Sequence, residues 1–150
     1  MRHVTFEPAR PLDTDGMPWI PTGPGKSFRP LRFAGDGWSE LMRLEPGAGV
    51  PLHRHTGEVH AFNLTGTREI FGTGERVGPG NYVYEPAGVI DGWAAVSDEP
   101  CVVHIKVTGV IEYLDEDGQV TETVSAATQR EAYLAWCREQ GTRPAEQILG

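Results

Sequence analysis

The chain has 150 residues, a length that fits one domain able to bury its own core. Its net charge of −8 argues against nucleic acid or an anionic membrane as partner, and 19 glycines with 12 prolines point to an all-β protein of short strands and turns. There is no apolar run of the roughly 18 residues a membrane helix needs and no basic-then-apolar export signal, so the expected location is the cytoplasm.

Residues 1–30 are punctuated by Pro8, Pro11, Pro18, Pro21, Pro24 and Pro30 and are expected to form an irregular arm, anchored by Trp19, Ile20 and Phe28. GPGKS at residues 23–27 lacks the glycine that a phosphate loop needs five positions before Gly25, where Ile20 stands. Leu31 to Phe33 and Trp38 to Leu44 read as strands around the turn residues Gly35, Asp36 and Gly37. Pro46, Gly47, Gly49 and Pro51 break the chain ahead of the next strand.

That strand carries the chemistry. His53 and His55 are two apart, so on an extended backbone both imidazoles leave one face, an arrangement suited to a metal ion. His60 is five from His55 and would face the other way on an unbroken strand. A bend at Thr56 and Gly57 is expected to reset the phase and bring it round. His60, Phe62 and Leu64 then alternate with Ala61 and Asn63 up to Gly66.

Further strands are expected at Arg68 to Phe71, Asn81 to Glu85, Ile90 to Val96 and Cys101 to Thr108, and a hairpin pairs Val110 to Leu114 with Gln119 to Thr123. The acidic turn Asp115 to Gly118 lacks the twelve-residue ligand pattern of a calcium loop. A helix falls within residues 125–141, its regular turns from about Gln129 to Gln140, with Thr128 and Glu131 as capping box and Gly141 as stop. Tyr133, Trp136 and Cys137 share its packing face. Cys101 and Cys137 lack zinc-ribbon spacing and are expected as buried thiols.

The histidine stretch resembles the first motif of the cupin superfamily, a small jelly-roll β-barrel. Gly47, five residues, then His53 and His55 match it; the glutamate slot holds His60, and Gly66 closes one residue short. Gly80, Pro86 and Gly88 match the second motif, where Asp91 replaces its histidine. From Trp19 to Gly141, GEVHAFNLTGTREI, NYVYEPAGVIDGW, IKVTGVIEYLDEDGQV and the closing helix resemble the 2,4'-dihydroxyacetophenone dioxygenase family of single-domain cupins. The resemblance implies one cupin domain over residues 1–150, non-haem iron held by histidines, and cleavage of a carbon–carbon bond beside a ketone with dioxygen.

The candidate metal ligands are accordingly His53, His55, His60 and Asp91, with His60 otherwise a pocket histidine. Two histidines and one carboxylate would leave positions open for a bidentate substrate and dioxygen. Glu58 is either an acceptor for a ligand's N–H or a solvated turn residue. His104 is a candidate general base if its face lines the lumen. Phe62, Tyr84 and Trp93 are candidate walls of a substrate pocket, or core. The leading expectation is an Fe(II) dioxygenase acting on a small ketone or diketone, in a homodimer. The alternatives are an isomerase, cyclase or hydrolase using zinc or nickel, and a non-catalytic metal- or ligand-binding cupin.

Overall fold

The computed structural model describes residues 3–6 and 8–150; the remaining positions of the expected arm lie outside the described residues. Twelve strands fold into two six-stranded antiparallel sheets that face one another. One sheet has the order β1 (Ile20–Gly23), β2 (Lys26–Ala34), β3 (Gly37–Leu44), β10 (Cys101–Thr108), β5 (Val59–Thr65) and β8 (Tyr82–Glu85). The other has the order β12 (Val120–Val124), β11 (Ile111–Leu114), β4 (Gly49–His55), β9 (Ile90–Ala95), β6 (Arg68–Ile70) and β7 (Arg76–Val77). This is the expected jelly-roll cupin fold, with two facing sheets in place of a fully closed barrel.

The arm expectation is corrected from Ile20 onward, where β1 and β2 form a hairpin on the sheet edge. Prolines hid it. Pro21 sits in an edge strand, and Pro30 lies at a register shift in β2, two places where a missing N–H costs no ladder bond. Ile20 and Phe28 are buried anchors as expected.

Helix α1 (Ala126–Gln140) begins three residues earlier than expected. Ser125 caps it: its side chain accepts from the Thr128 N–H, and the Thr128 hydroxyl receives the Ser125 N–H, so the box is closed without Glu131. Gly141, in the left-handed region at φ 67°, ends it. Tyr133 and Cys137 are buried with Phe28, Phe33, Trp38 and Val107, which fastens the helix over the β2 end of the sheets. A second apolar cluster, Leu44, Val50, Trp93, Cys101 and Val103, fills the space nearer the histidines.

Between β4 and β5, Thr56 to Glu58 make a tight turn locked onto β10, with the Thr108 N–H donating to the Glu58 carbonyl and Thr56 N–H to that of Val110. A Cβ on Gly57 would stand 2.4 Å from the Thr108 carbonyl oxygen. Gly57→Ala therefore forces backbone apart, and equilibrium unfolding in urea should show a loss of about 1–3 kcal/mol.

Candidate metal centre and adjoining chamber

The turn keeps the parity of the chain unchanged. On β4 the odd residues His53 and His55 point between the sheets, and on β5 so do Val59, Ala61 and Asn63. His60 consequently points outward. Its Nδ1 shares a hydrogen bond with the Tyr82 hydroxyl, and its Nε2 lies 3.6 Å from Glu58, on the exposed face of the sheet. The expected phase reset does not occur, and His60 leaves the candidate ligand set.

The same alternation removes three more candidates. His104 is the cross-strand partner of Phe62, and Tyr84 that of His60, so all of them stand on the outer face. Phe62 is 41% and Tyr84 48% exposed. His104 thus has no place in the lumen as a general base, and neither aromatic walls a pocket there. Trp93 does point inward, buried beside the cluster. Glu58 is an exposed turn residue whose carboxylate meets the outward His60 and Tyr84.

Inside, the ladder places Asp91 of β9 and Tyr113 of β11 directly across from His53 on its two sides. The turn after β8 closes onto the histidine strand: the Gly88 N–H donates to the His55 carbonyl at 2.7 Å and the His55 N–H to Val89. That contact sets Glu85, at the end of β8, with its carboxylate oxygen 3.6 Å from His55 Nε2. Glu85 and Asp91 hydrogen-bond to each other.

The imidazoles of His53 and His55 meet edge to face, with their Nε2 atoms 3.1 Å apart. His53 Nδ1 donates to the Pro51 carbonyl at 2.7 Å, which leaves the Nε2 lone pair directed at His55 Nε2. Burial lowers the affinity of both rings for a proton; for His55, with His53 adding to it, the pKa falls to about 4. Both are therefore neutral at pH 7, the form that coordinates metals. Burial pushes Glu85 up to about 8, reinforced by the hydrogen bond and charge of Asp91 and opposed by Arg68. Glu85 is thus protonated at pH 7 beside Asp91.

Arg68 and Glu85 were not singled out in the sequence. Arg68 is 4% exposed, lies over the Trp93 ring at 4.8 Å, donates to Asn63 Oδ1 at 3.1 Å and faces the Asp91 charge. Charged residues are seldom buried, so residue type gave no signal for Arg68. For Glu85 a signal was present: it has the parity of Val83, opposite to Tyr82 and Tyr84.

The donor set fits a divalent cation in kind. Two nitrogens at right angles, each about 2.1 Å from one ion, stand about 3.0 Å apart, near the observed separation. His55 Nδ1 is buried without a hydrogen-bond partner among the described residues, and the carboxyls hold a proton that a cation could replace. Among the described residues no three donors converge on one point. The imidazole pair is preformed; the carboxylate is not.

The cavity around this cluster is only about 30 Å³, room for one ion or water. Beside it, sharing Met42, Val50, Ile105, Ile111 and Tyr113 as a partition, lies a chamber of about 600 Å³. Glu40, 5% exposed, lines this chamber. Its Oε1 accepts from Trp38 Nε1 and, at 3.2 Å, from Gln129 Nε2 of α1.

Burial raises the Glu40 pKa from 4.5 to about 7 despite those two bonds. The folded chain then binds more protons than the unfolded one between these values, so stability falls as pH rises through them. The loss amounts to about 3 kcal/mol above pH 7. Denaturant unfolding at pH 5 and pH 8 should show this as a difference between chains: the change in stability from pH 5 to pH 8 should be less unfavourable by about 3 kcal/mol in Glu40→Gln than in the native chain, Glu85 and His55 titrating alike in both.

Comparison with known proteins agrees with this architecture. A family profile described as the ChrR cupin-like domain matches residues 9–111. No functionally curated protein matched the sequence. Among solved structures, an RmlC-like cupin from Ralstonia eutropha is 23% identical, with 91% of each chain covered and a TM-score of 0.84. An acetylacetone dioxygenase from Acinetobacter johnsonii is 19% identical over 90% of this chain and 95% of its own, with a TM-score of 0.72. The structure of Rhodobacter sphaeroides SigE in complex with the anti-sigma ChrR matches at 20% identity over 62% of this chain and 49% of its own, with a TM-score of 0.55.

Proposed function

The chain belongs to the ChrR cupin-like domain family, and on that premise we propose that it is a metal-dependent oxygenase cleaving a carbon–carbon bond of a small ketone or diketone with dioxygen. One divalent ion, iron(II) in this reading, is held by His53 and His55 with a carboxylate from Asp91 or Glu85. The observation that carries the proposal is the buried pair of neutral imidazoles, 3.1 Å apart, beside two carboxyls. Such an ion, when bound, would supply Lewis acidity toward a ketone oxygen and an electron path to dioxygen.

The chain's own groups have definite tasks in this reading. The Pro51 carbonyl fixes the His53 tautomer. Arg68 balances the charge of Asp91. The Glu85–Asp91 pair, holding one proton, can give or accept a proton as a ketone enolises. Trp93, Val103 and Ile105 keep bulk water away from the cluster. A carbon skeleton does not fit in the inner cavity, so the substrate's body would occupy the larger chamber, with its polar end reaching past the Tyr113 partition. The likeness in fold to an acetylacetone dioxygenase supports a diketone as first choice.

Anaerobic reconstitution with Fe(II), followed by addition of air-saturated buffer and β-diketones or hydroxyacetophenones in an oxygen electrode, tests the reading. Uptake that depends on both iron and ketone is expected. If no uptake occurs while iron binds in equal proportion to the chain, the oxygenase reading is wrong.

One observation favours a second reading, a ligand-binding cupin without redox chemistry. Arg68 already brings a cation to the carboxyls, and among the described residues no third ligand has converged. The likeness to a structure containing the anti-sigma ChrR is in keeping with a binding module. Elemental analysis of the purified chain separates the readings: iron points to the first, zinc or nickel to non-redox catalysis, and no metal to the second.

A further inference from the structure

The chamber beside the histidine cluster contains chemistry that a metal centre does not use. We propose that it is a binding site for a small, uncharged, mainly apolar molecule bearing a hydroxyl, whose O–H donates to Glu40 Oε2. This goes beyond the proposed function by giving a ligand class, and it rests on that reading only where the ligand is called a substrate.

The space opens between β2–β3 of one sheet and β11–β12 of the other, under α1. Its volume of about 600 Å³ lies within the ordinary range for small-molecule sites, and its walls include Phe28, Trp38, Met42, Leu44 and Ile105. Glu40 is the buried charged side chain on those walls. Both of its hydrogen bonds, from Trp38 and Gln129, go to Oε1, and Oε2 has no partner among the described residues. Oε2 is not sealed in either, because among the described residues the fully buried side-chain atom lacking a partner is His55 Nδ1. In the ionised carboxylate an oxygen with lone pairs to spare, its neighbour oxygen held by two donors and itself bordering an open chamber, is an acceptor without a donor.

Charge narrows the class. The other ionisable groups lining the chamber include Lys26, Tyr113 and Glu122, and the whole chain carries −8, so an anion is disfavoured. The raised pKa of Glu40, with burial as its main cause, means that its surroundings support charge poorly, which favours a neutral hydroxyl over an ammonium group.

The test follows the indole N–H of Trp38, which is hydrogen-bonded to the same carboxyl, in ¹⁵N–¹H spectra of the intact chain without added metal at pH 8, where Glu40 is ionised; Trp38→Phe identifies its signal among the four tryptophans. The probes are 4-propylphenol and its methyl ether, 4-propylanisole, which is similar in shape but has no donor. The phenol should shift the Trp38 signal saturably and bind at least about tenfold more tightly than the ether, the usual scale for a hydrogen bond to a charged group. In Glu40→Gln, which places an amide where the free oxygen stood, the ratio should approach one. No saturable shift, or equal affinities in the native chain, overturns the proposal, and that comparison decides alone if Glu40→Gln does not fold. A failed oxygen-uptake assay would leave a positive result here intact. Equal affinities here would leave the oxygenase reading intact without this ligand class.

Discussion

Replacing His53 and His55 together by alanine should lower affinity for Fe(II) or Zn²⁺ by far more than 100-fold, the upper loss usually seen when only a group behind a ligand is removed. Equilibrium dialysis with elemental analysis measures this, and iron-dependent oxygen uptake should vanish with it. Both rings are almost fully buried, so the double variant should also lose several kcal/mol to the cavity left behind, and far-UV circular dichroism is recorded alongside to show that metal loss is read on folded chain. A double variant that still retained one equivalent of metal would remove the imidazole pair from any coordinating role. The single variants should each lose most of the affinity, since two nitrogens 3.1 Å apart act as one chelating unit.

Arg68→Met should cost about 3–5 kcal/mol at pH 7, the usual effect of removing one partner from a buried charged network. Arg68 is enclosed at 4% exposure, facing Asp91 and Glu85, and methionine leaves that carboxyl pair without its cation. The deficit should shrink as pH falls and the carboxyls take up protons. Millimolar Zn²⁺ should also restore part of the lost stability in thermal unfolding, because a divalent ion supplies the missing positive charge. A loss below 1 kcal/mol would mean that Arg68 does not balance the charge of this pair, and no zinc rescue would argue against a cation site.

The fold was legible because alternation and turn residues are local signals. Cys101–Thr108 forms the strand read from its pattern, with Cys101, Val103 and Val107 buried on one face. The β1–β2 hairpin was not legible, since edge position and a register shift make Pro21 and Pro30 tolerable, and neither feature can be seen before the sheet exists. At the site, His53 and His55 were legible from spacing alone. His60 misled because a turn can either preserve or flip the phase of alternation, and the choice here depends on the clasp between Thr56–Glu58 and Thr108–Val110, some fifty residues away in the chain. Once that phase is fixed, Phe62, Tyr84 and His104 go outward together, while Glu85 comes in.

The roof of the larger chamber has a consequence for how relatives of this chain diverge. Gln129 and the rest of α1, together with β12, lie beyond residue 111, where the shared family profile ends. The histidines and Asp91 lie well within it. The imidazole pair and the cover of the chamber therefore stand on separate stretches of the chain, so that substitutions in the tail can reshape the larger space while leaving His53, His55 and Asp91 as they are.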